Sequence, residues 1–118
     1  MASNNDTGFA TFTATAVAIA AYTRVKVDSA GLILVSGAAA DSIGVAMEDI
    51  VASGTGTVKL WTSSGTFFCT ASAAVAKGAA LFSIAGGKVA SAGVTGIPLV
   101  ALDAAAADLD IIECARTI

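Results

Sequence analysis

The 118-residue chain contains no histidine, which removes the commonest general base and the commonest metal ligand. Its two cysteines, Cys69 and Cys114, lack the paired spacing of a zinc site. We expect both as buried thiols, since an isolated cysteine behaves as a small hydrophobe, with a disulfide between them as the less favoured alternative. No phosphate loop occurs, because Lys88 is followed by valine. These absences predict a protein that is not an enzyme and that holds no metal and no cofactor.

Charge is also scarce, because only 13% of the residues are charged and the six cations are scattered along a chain of net charge −3. Without a basic cluster to neutralise phosphates, we expect no nucleic-acid binding. Soluble monomers typically carry about 25–35% charge on their surface, so the composition favours assembly. An ordinary domain rich in alanine and glycine explains the same composition equally well.

No segment of the sequence predicts contact with a membrane or export. The apolar run from Ala14 to Ala21 is too short and too rich in alanine and threonine to span a bilayer. The residues before it contain Asp6 but no lysine or arginine, which is unlike a signal peptide. We therefore expect the protein to stay in the compartment where it is made.

What the sequence does contain is a regular succession of strand and turn signals. Residues 22–27 alternate, with Val25 and Val27 on one face and Arg24 and Lys26 on the other. Residues 85–87 predict a tight turn between two strands, because glycine adopts the positive φ that short hairpin turns need. Residues 57–62 and 66–70, joined by a short loop containing Gly65, form a second hairpin candidate.

These strands recur at a spacing of roughly ten residues, which predicts an all-β fold, a small β-barrel or β-sandwich of about seven to nine short strands. Pro98 is expected near the start of a strand or at an edge, where its missing N–H is tolerated. Residues 22–118 are predicted to form a single β-rich domain, preceded by an extended N-terminal arm over residues 1–21.

One strand pattern occurs twice. Residues 43–49 (IGVAMED) return loosely as residues 97–103 (IPLVALD), and each copy is followed by a spacer of small residues and a second apolar run, at 57–61 and 108–113. Both copies end on a carboxylate, which sets Asp49 against Asp103. Either an internal duplication or two independently similar strands accounts for the pattern.

Three aromatic residues are the candidates for contacts with a neighbouring subunit or a partner. Phe9 and Phe12 lie on the predicted arm, where packing on their own domain is the favoured interpretation and packing on a neighbour the alternative. Trp61 shares a strand face with Lys59, so that face is not expected at the centre of the core. We expect Trp61 to pack against an arm or a neighbouring subunit, and an exposed ligand platform is the alternative.

Carboxylates are the other chemically notable group. Paired carboxylates can hydrolyse glycosides or hold a hard cation, but neither the spacing nor an aromatic platform supports those functions here. Acidic residues at strand ends keep sheet edges soluble, and this is the interpretation we favour. The residues concerned are Glu48, Asp49, Asp103, Asp108, Asp110 and Glu113.

Four segments taken together resemble small phage head decoration proteins, also called capsid cement proteins. Each segment is short, and their order and spacing carry the resemblance. In these proteins, the hairpin with Gly-Lys-Val and the closing acidic-apolar strand recur. Where relatives often carry a larger aromatic pair, this chain has Leu81 and Phe82. The segments are residues 22–27, residues 42–49, residues 76–82 with 87–89, and residues 96–102 with 108–113.

The resemblance implies a structural virion protein that decorates and stabilises the outer surface of a phage capsid at three-fold and quasi-three-fold positions. The major capsid protein would be its partner, a homotrimer its assembly, and the host cytoplasm its place of synthesis. Phe9, Phe12 and Trp61 would then be candidate contacts to the capsid or between subunits. A carbohydrate- or ligand-binding β-module is the alternative function, and a small carboxylate hydrolase is a further one.

Overall fold

The computed structural model describes residues 8–39 and 41–117. These residues contain ten β-strands and one 3₁₀ turn, Ala85–Gly87, between the seventh and eighth strands. The strand number is slightly above the seven to nine expected from the sequence. The strands are β1 (Phe9–Thr13), β2 (Arg24–Val27), β3 (Ile33–Val35), β4 (Gly44–Ala46), β5 (Thr55–Leu60), β6 (Phe67–Thr70), β7 (Ala80–Ile84), β8 (Lys88–Ala90), β9 (Thr95–Ala101) and β10 (Ile111–Arg116).

The strands form two five-stranded sheets whose paired strands are all antiparallel. Sheet I has the order β1-β5-β4-β2-β3, and sheet II has the order β6-β10-β9-β7-β8. Two hydrophobic clusters form the core, one within sheet I and one in sheet II that also includes Val45 of β4, as alternating apolar side chains require. The all-β fold expected from the strand spacing is therefore confirmed.

The two sheets are copies of one topology. Adding five to each strand number of sheet I gives the order of sheet II. The isolated bridges repeat as well: Ala14 pairs in parallel with Ile33, as Ala71 does with Val89. Antiparallel bridges join residues 19 and 50 in the first copy, and residues 75 and 105 in the second. The chain is thus built from two consecutive units of similar architecture, residues 9–60 and 67–116.

Backbone conformation repeats at the same places. Of the nine described residues with positive φ, eight fall into four pairs that occupy equivalent positions in the two units. Only Gly86, in the turn between β7 and β8, has no equivalent among them. The pairs are Gly8 with Gly65, Tyr22 with Gly78, Gly31 with Gly87, and Ser53 with Leu109.

The repeated sequence pattern belongs to this duplication, but its alignment shifts by one residue. Glu48 accepts a hydrogen bond from the backbone N–H of Thr57 at 3.1 Å, and Asp103 accepts the equivalent bond from Glu113 at 3.3 Å. Asp103 therefore corresponds to Glu48, whereas the sequence alignment set it against Asp49. The shift matters because one residue exchanges the two faces of a strand.

A buried arginine joins the two units. The side chain of Arg24, on β2, donates hydrogen bonds across to the backbone carbonyls of Ile84, at 2.8 Å, and Lys88, at 2.9 Å. Within its own unit it donates to the carbonyl of Gly37 and to the Ser36 hydroxyl. The residue is fully buried. The alternation of residues 22–27 had placed Arg24 on the face opposite Val25, and the structure buries both faces at this point.

Two local predictions are wrong for topological reasons. β5 and β6 do not pair as a hairpin, because β5 lies between β1 and β4 in sheet I whereas β6 pairs with β10 in sheet II. Pro98 lies in the middle of β9 and not at its start. It is tolerated there because the β7–β9 register shifts between Ala80 and Phe82, so the ladder is irregular where the N–H is missing.

The predicted arm covers two different parts of the chain. Residues 1–7 lie outside the described residues, and there the arm stays a prediction. Residues 9–13 are β1, the strand at one edge of sheet I, and the following loop places Ala14 and Ile19 in the core. In this range the chain packs on its own domain, which is the interpretation that the sequence favoured for Phe9 and Phe12.

Candidate interaction surface

Trp61 is the best-fixed aromatic side chain of the candidate contacts. It follows β5, is half-buried, and its indole N–H lies 3.0 Å from the Ser42 carbonyl and 3.2 Å from the Ser42 hydroxyl. Its ring meets the Phe67 ring edge to face, with centroids 4.9 Å apart. The Trp61 ring is therefore fixed in position, because its N–H is hydrogen-bonded and its apolar face is packed. It is not the open platform expected of a sugar-binding module.

Phe9 is connected to the Trp61–Phe67 pair through Lys59. The ammonium group of Lys59 lies 5.6 Å from the Phe9 ring centroid and 4.7 Å from the Phe67 centroid, both within the range of cation–π attraction. It also donates a hydrogen bond to the Thr66 carbonyl. Phe9 remains 42% exposed. Phe9 and Trp61 therefore lie near the same junction between β5 and β6, with apolar area still open to solvent.

Phe12 lies on the opposite face of β1, since strand residues three apart point to opposite sides. It is half-buried and packs against the core cluster of sheet I. The structure thus separates the two phenylalanines that the sequence grouped. Phe9 keeps part of its ring exposed to solvent, and Phe12 contributes to the core of its own unit.

A pocket of about 220 Å³ opens beside Trp61. The middle of β9 lines it together with Ser42 and Trp61, and the exposed Arg116 at the end of β10 forms part of its rim. Equivalent parts of the two units meet here. The backbone N–H of Trp61 donates to the carbonyl of Ile43 in the first unit, and the N–H of residue 117 donates to the carbonyl of residue 98 in the second. The lining is mostly apolar, which suits an apolar group better than a sugar. The residues that line it are Ser42, Trp61, Ile97, Pro98, Leu99 and Arg116.

The carboxylates act on the backbone of the loops. Asp49 accepts a hydrogen bond from the Ala21 N–H at 2.8 Å, and Asp110 accepts two from residues 106 and 107. Asp28 accepts two within its own turn. Among residues 8–39 and 41–117, no group of three or more histidine, cysteine, aspartate or glutamate side chains is placed to hold a metal ion. Asp28 and Asp110 thus close turns, and Asp49 joins two loops that are far apart in the sequence.

The two cysteines are free and fully buried on adjacent strands of sheet II. The hydrogen bond of the Cys69 S–H to Cys114, together with burial, raises the pKa of the Cys69 thiol well above its ordinary value, against the lowering effect of the Arg24 charge. A thiol held neutral and away from solvent is a poor nucleophile.

No helix in the described part of the chain is long and apolar enough to cross a membrane.

Sequence reasoning missed the roles of two arginines: Arg24, which joins the two units, and Arg116, which lines the pocket. Arg24 carried no signal beyond its place in an alternating strand, and Arg116 was only one of six scattered cations. An internal alignment with the correct one-residue shift would have indicated that Arg116 ends its strand as Leu60 does. It would not have shown that the two strand ends meet around one pocket.

The fold defines the class of this protein as a duplicated, two-sheet antiparallel β-structure. It is shared with a solved phage structure, the head fiber gp8.5 N base of bacteriophage phi29. The TM-score is 0.76, and the match covers 92% of this chain and 93% of that one at 14% sequence identity. Neither a protein-family model nor a curated protein matches the sequence.

Proposed function

We propose that this chain is a structural, non-enzymatic protein of a phage head, and that it decorates and stabilises the outer surface of the capsid. The observation that carries the proposal is the fold shared over nearly the full length of both chains with a head fiber base. The segments that resemble decoration proteins support it independently, because that resemblance was drawn from the sequence alone. These segments occur in both units of the fold.

In this proposal the partner is the major capsid protein, and the chain binds as a homotrimer at three-fold and quasi-three-fold positions. It is made in the host cytoplasm and assembles on the virion. The low surface charge and the exposed apolar area around Phe9 and Trp61 fit a protein that is covered on assembly. Phe12 is a candidate contact in the same proposal through the part of its ring that its own core leaves exposed.

The proposal is tested by co-sedimentation of the purified chain with capsids of its phage from which the decoration protein has been removed. We expect saturable binding, a stoichiometry set by the three-fold positions, and capsids that resist heating better when bound. A chain without residues 1–7 keeps β1 and tests the arm in the same assay. Because three arms on one trimer act together, their loss should weaken binding by about tenfold or more.

The full-length chain decides the proposal itself. If it does not sediment with capsids at micromolar concentration, or sediments without changing their heat resistance, the capsid-stabilising function is wrong. Light scattering of the free chain reports separately whether the trimer exists before binding.

A further inference from the structure

The pocket beside Trp61 is formed before any partner arrives. The Trp61 ring is held by Ser42 and Phe67, and the β9 residues of the lining belong to a strand that is paired in sheet II. A group that enters such a pocket has little reorganisation to overcome, which is the usual advantage of a preorganised site. The indole N–H of Trp61 already donates to the carbonyl and hydroxyl of Ser42, so an apolar group that enters the pocket does not deprive it of a hydrogen-bond partner.

The charge at the rim selects the kind of group that enters. Among the lining residues that the structure describes, Arg116 is the only charged one. Its side chain is exposed, and it makes no hydrogen bond or ion pair with any residue that the structure describes. A guanidinium at the mouth of an apolar pocket complements a carboxylate and repels a cation.

The volume limits what can fill it. A cavity of about 150 Å³ holds one benzene molecule, so about 220 Å³ holds one large apolar side chain and no more. A folded element does not fit. An extended segment fits, because it can insert one side chain and leave the next residue at the rim.

We propose that this pocket receives one large apolar side chain from an extended segment of the partner polypeptide, and that Arg116 bonds a carboxylate next to that side chain. The inference rests on the proposed function, in which the partner is the capsid protein. It adds the chemistry of the partner segment, an apolar residue beside an aspartate or a glutamate, and assigns Arg116 to its recognition.

Trp61 is the only tryptophan of the chain, so its emission reports directly on the pocket. The full chain is titrated with the peptides N-acetyl-Phe-Asp-amide and N-acetyl-Phe-Asn-amide, which differ only in the charge. We expect the acidic peptide to shift the emission and to bind at least about fivefold more tightly than the amide. In the Arg116→Gln variant the two peptides should bind alike. Equal binding of both peptides to the unmodified chain, or no shift with either at millimolar concentration, overturns the proposal.

The second arm of the test uses capsids. Arg116→Glu and Lys77→Glu change the net charge equally, and Lys77 is an exposed residue outside the pocket. We expect Arg116→Glu to weaken co-sedimentation at least fivefold and Lys77→Glu to leave it unchanged. If both variants bind as the unmodified chain does, the pocket is not the contact, although the proposed function stands. If the unmodified chain itself fails to bind, the proposed function falls and the peptide titration still decides the pocket. If Arg116→Glu alters the oligomeric state in light scattering, the occupant is a second copy of this chain and the proposal is wrong.

Discussion

At the scale of single residues, Arg24 determines how the two units are held together. Burial lowers the pKa of its guanidinium, while the negative charge of Asp41 opposes that effect. Asp41 is linked to Arg24 through Ser36, whose hydroxyl accepts from the guanidinium and donates to the carboxylate at 2.9 Å. Most acceptors of Arg24 are nevertheless backbone carbonyls, so the interaction fixes the positions of the chain segments that carry them.

Replacing Arg24 by leucine should lower the free energy of unfolding by about 3 kcal/mol. The change leaves buried carbonyls without a donor, and each such group costs about 1–3 kcal/mol. Lys26→Leu is the control on the same strand, because it removes only an ion pair to Asp41 at 3.5 Å that is partly exposed to solvent. That loss should stay below about 1 kcal/mol. Urea unfolding measures both, and equal losses for the two variants would show that Arg24 does not bind the units together.

At the scale of elements, the hairpin of β7 and β8 packs its turn directly against β2. Gly86 and Gly87 both have positive φ, of 79° and 71°. A Cβ atom on Gly87 would lie 2.2 Å from the Thr23 Cγ2 atom and 2.9 Å from the Arg24 carbonyl oxygen. On Gly86 the nearest atom would be Lys88 Cε, at 3.9 Å. A substitution at Gly86 therefore tests backbone strain alone, whereas one at Gly87 tests backbone strain together with crowding against β2.

Gly86→Ala should cost about 1 kcal/mol of stability, since alanine at positive φ carries that strain alone. Gly87→Ala should cost about 3 kcal/mol, because crowding against β2 adds about 2 kcal/mol to the same strain. Denaturant midpoints of the two variants at unchanged m-value give the comparison. Similar midpoints would mean that the turn can move away from β2 without loss.

Some elements could be predicted from the sequence, and others could not. The turn at residues 85–87 and the strands beside it follow from local chemistry, because glycine and alternation act over a few residues. The partner of β5 could not be predicted this way, since a short glycine-containing loop also connects strands of different sheets. The contact role of Trp61 was inferred from the lysine on its face, but the pocket beside it depends on β9 and β10, far away in the sequence.

At the scale of the whole molecule, the duplication raises the question of whether each unit folds alone. Units of about 50 residues are marginal, because a small domain buries too little of its surface. The second core is also incomplete without the first unit. Val45 of β4 is a buried member of it, and Tyr22 and Trp61 pack against it. The repeated topology therefore does not make the two units independent.

We accordingly expect the full chain to unfold in one transition. Far-ultraviolet circular dichroism follows the strands of both units, and Trp61 emission follows the junction between them, so the two signals should give the same urea midpoint. Residues 62–118 expressed alone lack Val45, Tyr22 and Trp61 and should show no cooperative unfolding. Two separated midpoints, or a folded second unit on its own, would indicate that each core is sufficient. The contacts of Arg24 and Val45 would then orient two stable units, whereas one midpoint means that they complete a single folded structure.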